Sequence, residues 1–165
     1  MRRDRQHVAT GLGAAILGSS ADAILATDRQ GMISFWNPGA VRIFGFSENE
    51  ALDASLDIII PERLRARHWH GWEHVMLTGK THYGSGDLLS VPALTKDGRQ
   101  ISVEFTIILL YDADHQISGM ASILRDVTSR FDEMRRLKRQ LADLSEKASA
   151  SCAEFASATG VNPTS

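Results

Sequence analysis

Residues 22–45 read DAILATDRQGMISFWNPGAVRIFG, and their reading decides the fold. Two short apolar-rich segments, DAILATD and MISFWN, flank RQG, and a glycine-bearing turn between two such runs is a β-hairpin signal. Asn37 then offers a side-chain acceptor to the free N–H groups of a helix start, and Pro38 loses nothing at a first helical position, where an N–H has no partner. Gly45 ends that helix. In SENEALDASL, Ser47 and Glu50 stand in the spacing of a capping box, which predicts another short helix.

Outward from this stretch, the chain begins MRRDRQHVATGLGAAILGSSADA, and a short helix is expected near residues 9–18. The basic start and the Ala-x-Ala end resemble a secretory leader, but the apolar core GLGAAILG is short and glycine-rich, and cleavage after Ala23 would cut the first strand. Downstream, Pro61 suits a first turn and Gly79 a left-handed C-terminal cap, so PERLRARHWHGWEHVMLTG is expected to form a helix of about four turns. LLSVPALT, QISVEFTIILLY and ISGMASILRD are strand-like and joined by KDGR and DADHQ turns. Alternation places Ile101, Val103, Phe105 and Ile107 on one face, the pattern of a sheet packed on one side. Two strands, several helices and three strands in that order predict an α+β fold.

With 165 residues, 43% of them hydrophobic, the chain suits one well-buried domain with short extensions. A net charge of -2 with mixed signs supplies no broad positive field, so neither nucleic acid nor a membrane surface is expected as partner. The longest apolar runs fall far short of the roughly 20 residues of a spanning helix. Cys152 is the only cysteine, which excludes an internal disulfide and fits a reducing, cytoplasmic setting. No nucleophile elbow, kinase or cyclase motif is present, and an enzyme is not expected; YGSGD lacks the spacing of a phosphate loop.

From Ser129 the composition turns charged. Met134, Leu137, Leu141 and Leu144 recur at three- and four-residue steps, a narrow seam suited either to a second helix in a coiled coil or to folding back on its own domain. The tail SASCAEFASATGVNPTS is small and polar and is expected to be disordered.

The 61–79 helix carries the chemistry. At about 100° per residue, Leu64, His68, Gly71, Trp72 and Val75 share one stripe, which turns His68 inward among apolar neighbours. Neutral imidazole in such surroundings is a good iron ligand, and Gly71 leaves room beside it for a flat ring; the same histidine would also serve as a hydrogen-bonded core residue. His70 and His74, four apart on the opposite stripe, have the spacing of two zinc ligands but lack a third. Trp72 is expected in the core and Trp69 at a partly exposed or dimer-facing position.

The stretches DAILATDRQGMISFWNPGAVRIFGFSENEAL, IIIPERLRARH, KDGRQISVEFTI and GMASILRDVT together resemble a PAS sensor domain over roughly residues 15–128. The resemblance implies a five-stranded antiparallel sheet with short helices over one face around a cavity, flanked by helices, with RDVT (Asp126, Thr128) where the last strand enters an output helix. It divides the chain into a flanking helix at 1–19, a sensor domain at 20–128, an output or dimerisation helix at 129–148 and a tail at 149–165. PERLRARH followed by MLTGKTHYGSGDLL is similar to the haem-binding, oxygen-sensing PAS subgroup. That likeness implies haem b held by His68, propionates met by His74 and His82, and walls from Leu64, Trp72, Phe105, Ile107 and Ile123. Where the subgroup's distal arginine aligns, this chain has Leu88 or Leu89, and Asp87 lies near a related sensor's methionine ligand, so the gas ligand does not carry over. The absence of a cysteine in the helix after the hairpin argues against the flavin branch. The implied role is to sense a diatomic gas or redox state and signal, as a homodimer, to a partner protein; a cofactor-free interaction module or a metabolite sensor is the alternative.

Overall fold

A computed structural model describes residues 2–80 and 89–159, with side chains described for 5–80 and 89–149. The chain divides into two compact units, Met1–Val127 and Thr128–Ser165. The first holds helix α1 (Arg2–Leu17), strands β1 (Ala23–Asp28) and β2 (Ile33–Trp36), helices α2 (Pro38–Phe44), α3 (Glu48–Ala51) and α4 (Glu62–Thr78), and strands β3 (Leu89–Leu94), β4 (Gln100–Tyr111) and β5 (Ile117–Asp126). The second is helix α5, Thr128–Thr159. The strands form one antiparallel sheet in the order β2-β1-β5-β4-β3, the α+β architecture and five-stranded sheet expected from the sequence.

The hairpin closes because Asp28 bends the chain back on itself: its carboxylate accepts from the amides of Gln30 and Met32 at 2.9 and 2.8 Å, and Gly31 takes the left-handed conformation, φ 79°. Asn37 caps α2 as expected, accepting from Ala40 N–H, and Gly45 ends that helix at φ 81°. Glu50 reaches back to the amide and hydroxyl of Ser47, although the helix so capped is only Glu48–Ala51, followed by a single 3-10 turn at Leu56–Ile58.

Cross-strand register assigns the faces. Ile101, Val103, Phe105 and Ile107 look inward with Ala93, Leu124, Leu25 and Trp36, and a core of Leu25, Ile33, Trp36, Phe44, Val103 and Leu124 lies between this face and α2 and α3. Each large side chain so buried stabilises by roughly 1.5–3 kcal/mol. A second cluster, Trp72, Val75 and Met76 of α4 with Met120 of β5, seats α4 on the inner face beside Ile107, Leu109 and Ile117.

Two expectations are corrected here. Ile123 pairs with Ile24 and Thr106, one residue out of phase with Phe105, so it faces the outer side of the sheet and cannot wall an inner cavity. The segment from 149 is helical as far as Thr159, where disorder was expected, its alanines being the strongest helix formers. Helix α1, Arg2–Leu17, starts before the helix expected near residues 9–18 and lies within the flanking helix expected at 1–19.

Candidate functional site

Helix α4 presents its buried side through Trp72, Val75 and Met76, and His68 sits one turn before Trp72 on the same stripe. Glu62 in the first turn complements the helix dipole. The last turn holds no basic residue of its own; Arg29 of the hairpin supplies one, donating to Met76 O at 3.1 Å and to Ile117 O at 2.8 Å. Gly79 caps the helix at φ 67°.

The imidazole of His68 is packed by two indoles. Its ring lies 4.8 Å from that of Trp69, edge-on, and 5.9 Å from that of Trp72. Both indoles are fixed: Trp69 Nε1 donates to Asp57 Oδ1 at 2.9 Å, and Trp72 Nε1 donates to Arg29 O at 3.1 Å. Trp69 also lies directly over Gly31, where an added Cβ would come within 2.3 Å of its ring. The hairpin turn thus excludes a side chain to seat this indole, and Trp69, half-buried in keeping with the partly exposed position expected from the sequence, is also an anchor within the domain. Asp57, Arg29 and Gly31 went unrecognised because their part depends on contacts 12 to 43 residues away.

Nδ1 of His68 is buried and has no hydrogen-bond partner. Burial pushes the imidazole below its ordinary pKa, against a weaker opposing pull from the Asp57 carboxylate. At neutral pH the ring is therefore uncharged, and one of its two nitrogens carries a lone pair. A Cβ on Gly71 would meet nothing within 4 Å, so space remains on the helix three residues beyond His68. On the sheet, Val91 points to the inner face opposite Val103 yet is 38% exposed, and Leu89, Phe105 and Ile107 are half-buried, leaving that side of β3 and β4 partly open.

The remaining assigned residues divide. Leu64 and Trp72 are on the His68 stripe, and Leu89 pairs with Phe105 on the inner face. His74 is on the exposed side of α4, and among the described residues no three or more histidines, cysteines or carboxylates gather where they could hold a metal, so His70 and His74 remain a pair without a third ligand. His82, Asp87, Leu88 and YGSGD lie outside the described residues. No helix among the described residues is long and apolar enough to cross a membrane.

The family model described as "PAS fold" matches residues 17–131. The chain belongs to the PAS family. Among curated relatives, this PAS chain is 30% identical over 129 residues to an uncharacterized protein of Azorhizobium caulinodans, covering 76% of this chain and 17% of that protein. It is 28% identical over 134 residues to the sensor protein FixL of Bradyrhizobium diazoefficiens, covering 79% of this chain and 25% of that protein. The chain thus spans a quarter or less of these relatives. Among solved structures, the PAS domain of a Colwellia psychrerythraea protein superposes with a TM-score of 0.63 at 22% identity, over 73% of this chain and 98% of that one. A sensory box histidine kinase/response regulator of Burkholderia thailandensis gives 0.57 at 18% identity, over 82% and 98%. The PAS fold is shared with domains of signal-sensing proteins.

Proposed function

We propose that this PAS domain senses a diatomic gas or a redox change through haem b held by His68, and passes the state through β5 and α5 to a partner protein. The observation that carries this reading is the buried, unpartnered nitrogen of a neutral imidazole on the inward stripe of α4, since an interior polar atom left without a partner is uncommon and calls for an explanation. Haem bound there would supply an iron able to take a gas or change oxidation state. His68 would hold it; Leu64, Trp72, Phe105 and Ile107 would exclude water around it, with Asp57 and Trp69 fixing the helix that presents the ligand. His74 and His82 are the candidate propionate contacts. The exposed seam of Met134, Leu137, Leu141 and Leu144 supports association of two copies through α5.

The anchored indoles favour a second reading. Trp69 and Trp72 already pack the imidazole and are tied down by hydrogen bonds, an arrangement suited to a cofactor-free interaction module or a sensor of a small metabolite. Absorption spectroscopy separates the two. Protein reconstituted with haem is expected to show a Soret band that shifts on reduction and on adding carbon monoxide, and His68→Ala is expected to lose or displace that band with the far-UV circular dichroism retained. No retained haem, or a spectrum identical in the variant, overturns the haem reading and leaves the interaction module.

A further inference from the structure

Between α1 and β1 the chain runs through residues 19–22, a strap whose four main-chain carbonyls all accept from side chains at α2. Asn37 Nδ2 donates to Ser19 O and Asp22 O at 2.8 and 3.1 Å, and Arg42 donates through Nε to Ser20 O and through Nη2 to Ala21 O, both at 2.7 Å. Gly39 lets the strap lie this close, because a Cβ there would come within 1.9 Å of Asp22 O. The backbone of the strap is thus fastened to α2. Its carboxylate reaches elsewhere: Arg125 of β5 donates to Asp22 Oδ1 and Oδ2 at 2.8 and 2.6 Å. Arg125 has a second acid beside it. Register pairs it with Glu104 of β4, and because their neighbours Leu124 and Val103 are buried on the inner face, both point outward. Directly opposed residues of an antiparallel pair have Cβ atoms about 4.5–5.5 Å apart, close enough for two long side chains to meet. The bond to Asp22 first, and more weakly the charge of Glu104, raise the pKa of this guanidinium.

We propose that Arg125 is a two-position latch. On Asp22 it ties the end of β5 to the strap, and so to the root of α1; handed over to Glu104 it ties the same strand end to β4 and lets the strap's carboxylate go. The side chain of Arg125 is 70% exposed, and exposed ion pairs are individually weak, so neither position is locked. A guanidinium offers the same planar fork of donors to either carboxylate, which an ammonium does not. The carbonyl bonds from Asn37 and Arg42 persist in both positions, so the exchange breaks no buried hydrogen bond. The place of the latch gives it its consequence. Arg125 stands two residues before Val127, whose amide donates to Ser102 O of β4 and which leads directly into α5 at Thr128, while its neighbour Leu124 belongs to the core. A shift of β5 that brings Arg125 nearer one acid or the other therefore decides whether the root of α1 follows the strand that enters α5. A ligand drives the exchange only by binding one arrangement better than the other, whatever its chemistry, so the latch stands apart from the haem reading.

The test uses the full chain with isotope-labelled arginine, so that the Nε–Hε group of Arg125 is read directly by NMR. In the parent this proton is expected to exchange slowly with water and to show contacts to Asp22. In Asp22→Ala it is expected to stay slow and to acquire contacts to the Glu104 side chain, while the amides of Ser20 and Ala21 become more mobile in backbone relaxation. Glu104→Ala alone is expected to leave the Asp22 contacts and the strap unchanged. The double variant Asp22→Ala/Glu104→Ala removes both positions, and Hε exchange is expected to rise about two- to fivefold over either single variant, the scale of an exposed ion pair. An Hε that exchanges as fast in Asp22→Ala as in the double variant shows that no hand-over occurs. That result, or a strap in Asp22→Ala no more mobile than the parent's, overturns the proposal and leaves a fixed surface salt bridge. Unchanged thermal midpoints verify the fold, and Asp22→Ser with Glu104→Thr repeats the test should either alanine variant fail to fold.

Discussion

Asn37→Ala should be the most damaging single substitution at the root of α1. The side chain is 1% exposed and every polar atom on it is used. Oδ1 accepts from Ile24 N–H at 2.7 Å and Ala40 N–H at 2.8 Å, while Nδ2 donates to Ser19 O at 2.8 Å and Asp22 O at 3.1 Å. Truncation leaves the buried Ile24 N–H unsatisfied, at about 1–3 kcal/mol, and removes the cap of α2, at about 1 kcal/mol. The two carbonyls lie nearer solvent and can be rehydrated, so they add little. The sum is roughly 2–4 kcal/mol, a large part of the roughly 5–15 kcal/mol that holds a domain folded. Urea unfolding followed by tryptophan fluorescence should show this loss at unchanged m-value, and amide exchange at Ile24 should accelerate by at least about thirtyfold, the equivalent of about 2 kcal/mol. A loss under about 1 kcal/mol, or an unaltered Ile24 amide, would mean that the four hydrogen bonds do not act as the hub described.

The pH dependence of the haem-free protein follows from His68. Its folded pKa lies below the unfolded value of about 6.5, so the unfolded chain binds more protons between the two, and stability falls as pH drops through that window, by at most about 1.4 kcal/mol per unit less whatever residual solvent contact screens. His68→Leu should flatten the difference between parent melting curves at pH 7.5 and 5.5 without lowering stability at pH 7.5, because it removes an unpartnered polar atom; an unchanged pH slope would place the titration elsewhere. Gly31→Ala combines a left-handed φ with a Cβ inside the Trp69 ring, so it should cost about 2–4 kcal/mol and shift the tryptophan emission, and an emission identical to the parent would show Trp69 indifferent to the turn.

The sheet and its hairpin were legible because local chemistry and tertiary outcome agree there. Asn37, Gly45, Glu50 and Gly79 do in the structure what their residue types dictate, and the alternation from Ile101 to Ile107 fixes the inner face of β4. The site was legible only as far as one helix. Period 3.6 turned His68 inward, but nothing in a linear pattern tells that Trp69, one residue on, bends over Gly31 of a distant turn and bonds Asp57. Ile123 was misplaced for a related reason. In ISGMASILRD small and apolar residues interrupt the alternation, and only the pairing of Ile123 with Ile24 and Thr106 settles its face.

The placement of β5 limits how any inner-face event can reach α5. It is the central strand, hydrogen-bonded to β1 on one side and β4 on the other, and it leads through Val127, whose amide donates to Ser102 O at 2.9 Å, directly into α5 at Thr128. Its inward residues Met120 and Leu124 belong to the two core clusters, while Ala121 and Ile123 lie outward, so one rigid strand is read from both faces. Detaching it would break two ladders at once. A ligand that reverses a two-state balance from 1:99 to 99:1 must already supply about 5.5 kcal/mol of differential affinity, and strand release would add to that demand. Arg125 offers a smaller movement. It grips Asp22 through two bonds of 2.8 and 2.6 Å, and the carbonyls of Ser20 and Ala21 just before are held by Arg42, so a slight tilt of β5 that leaves both ladders intact also pulls on the linker from α1. A coupled tilt of β5 and that linker is therefore the motion compatible with the bonding, and it would move the roots of both flanking helices together.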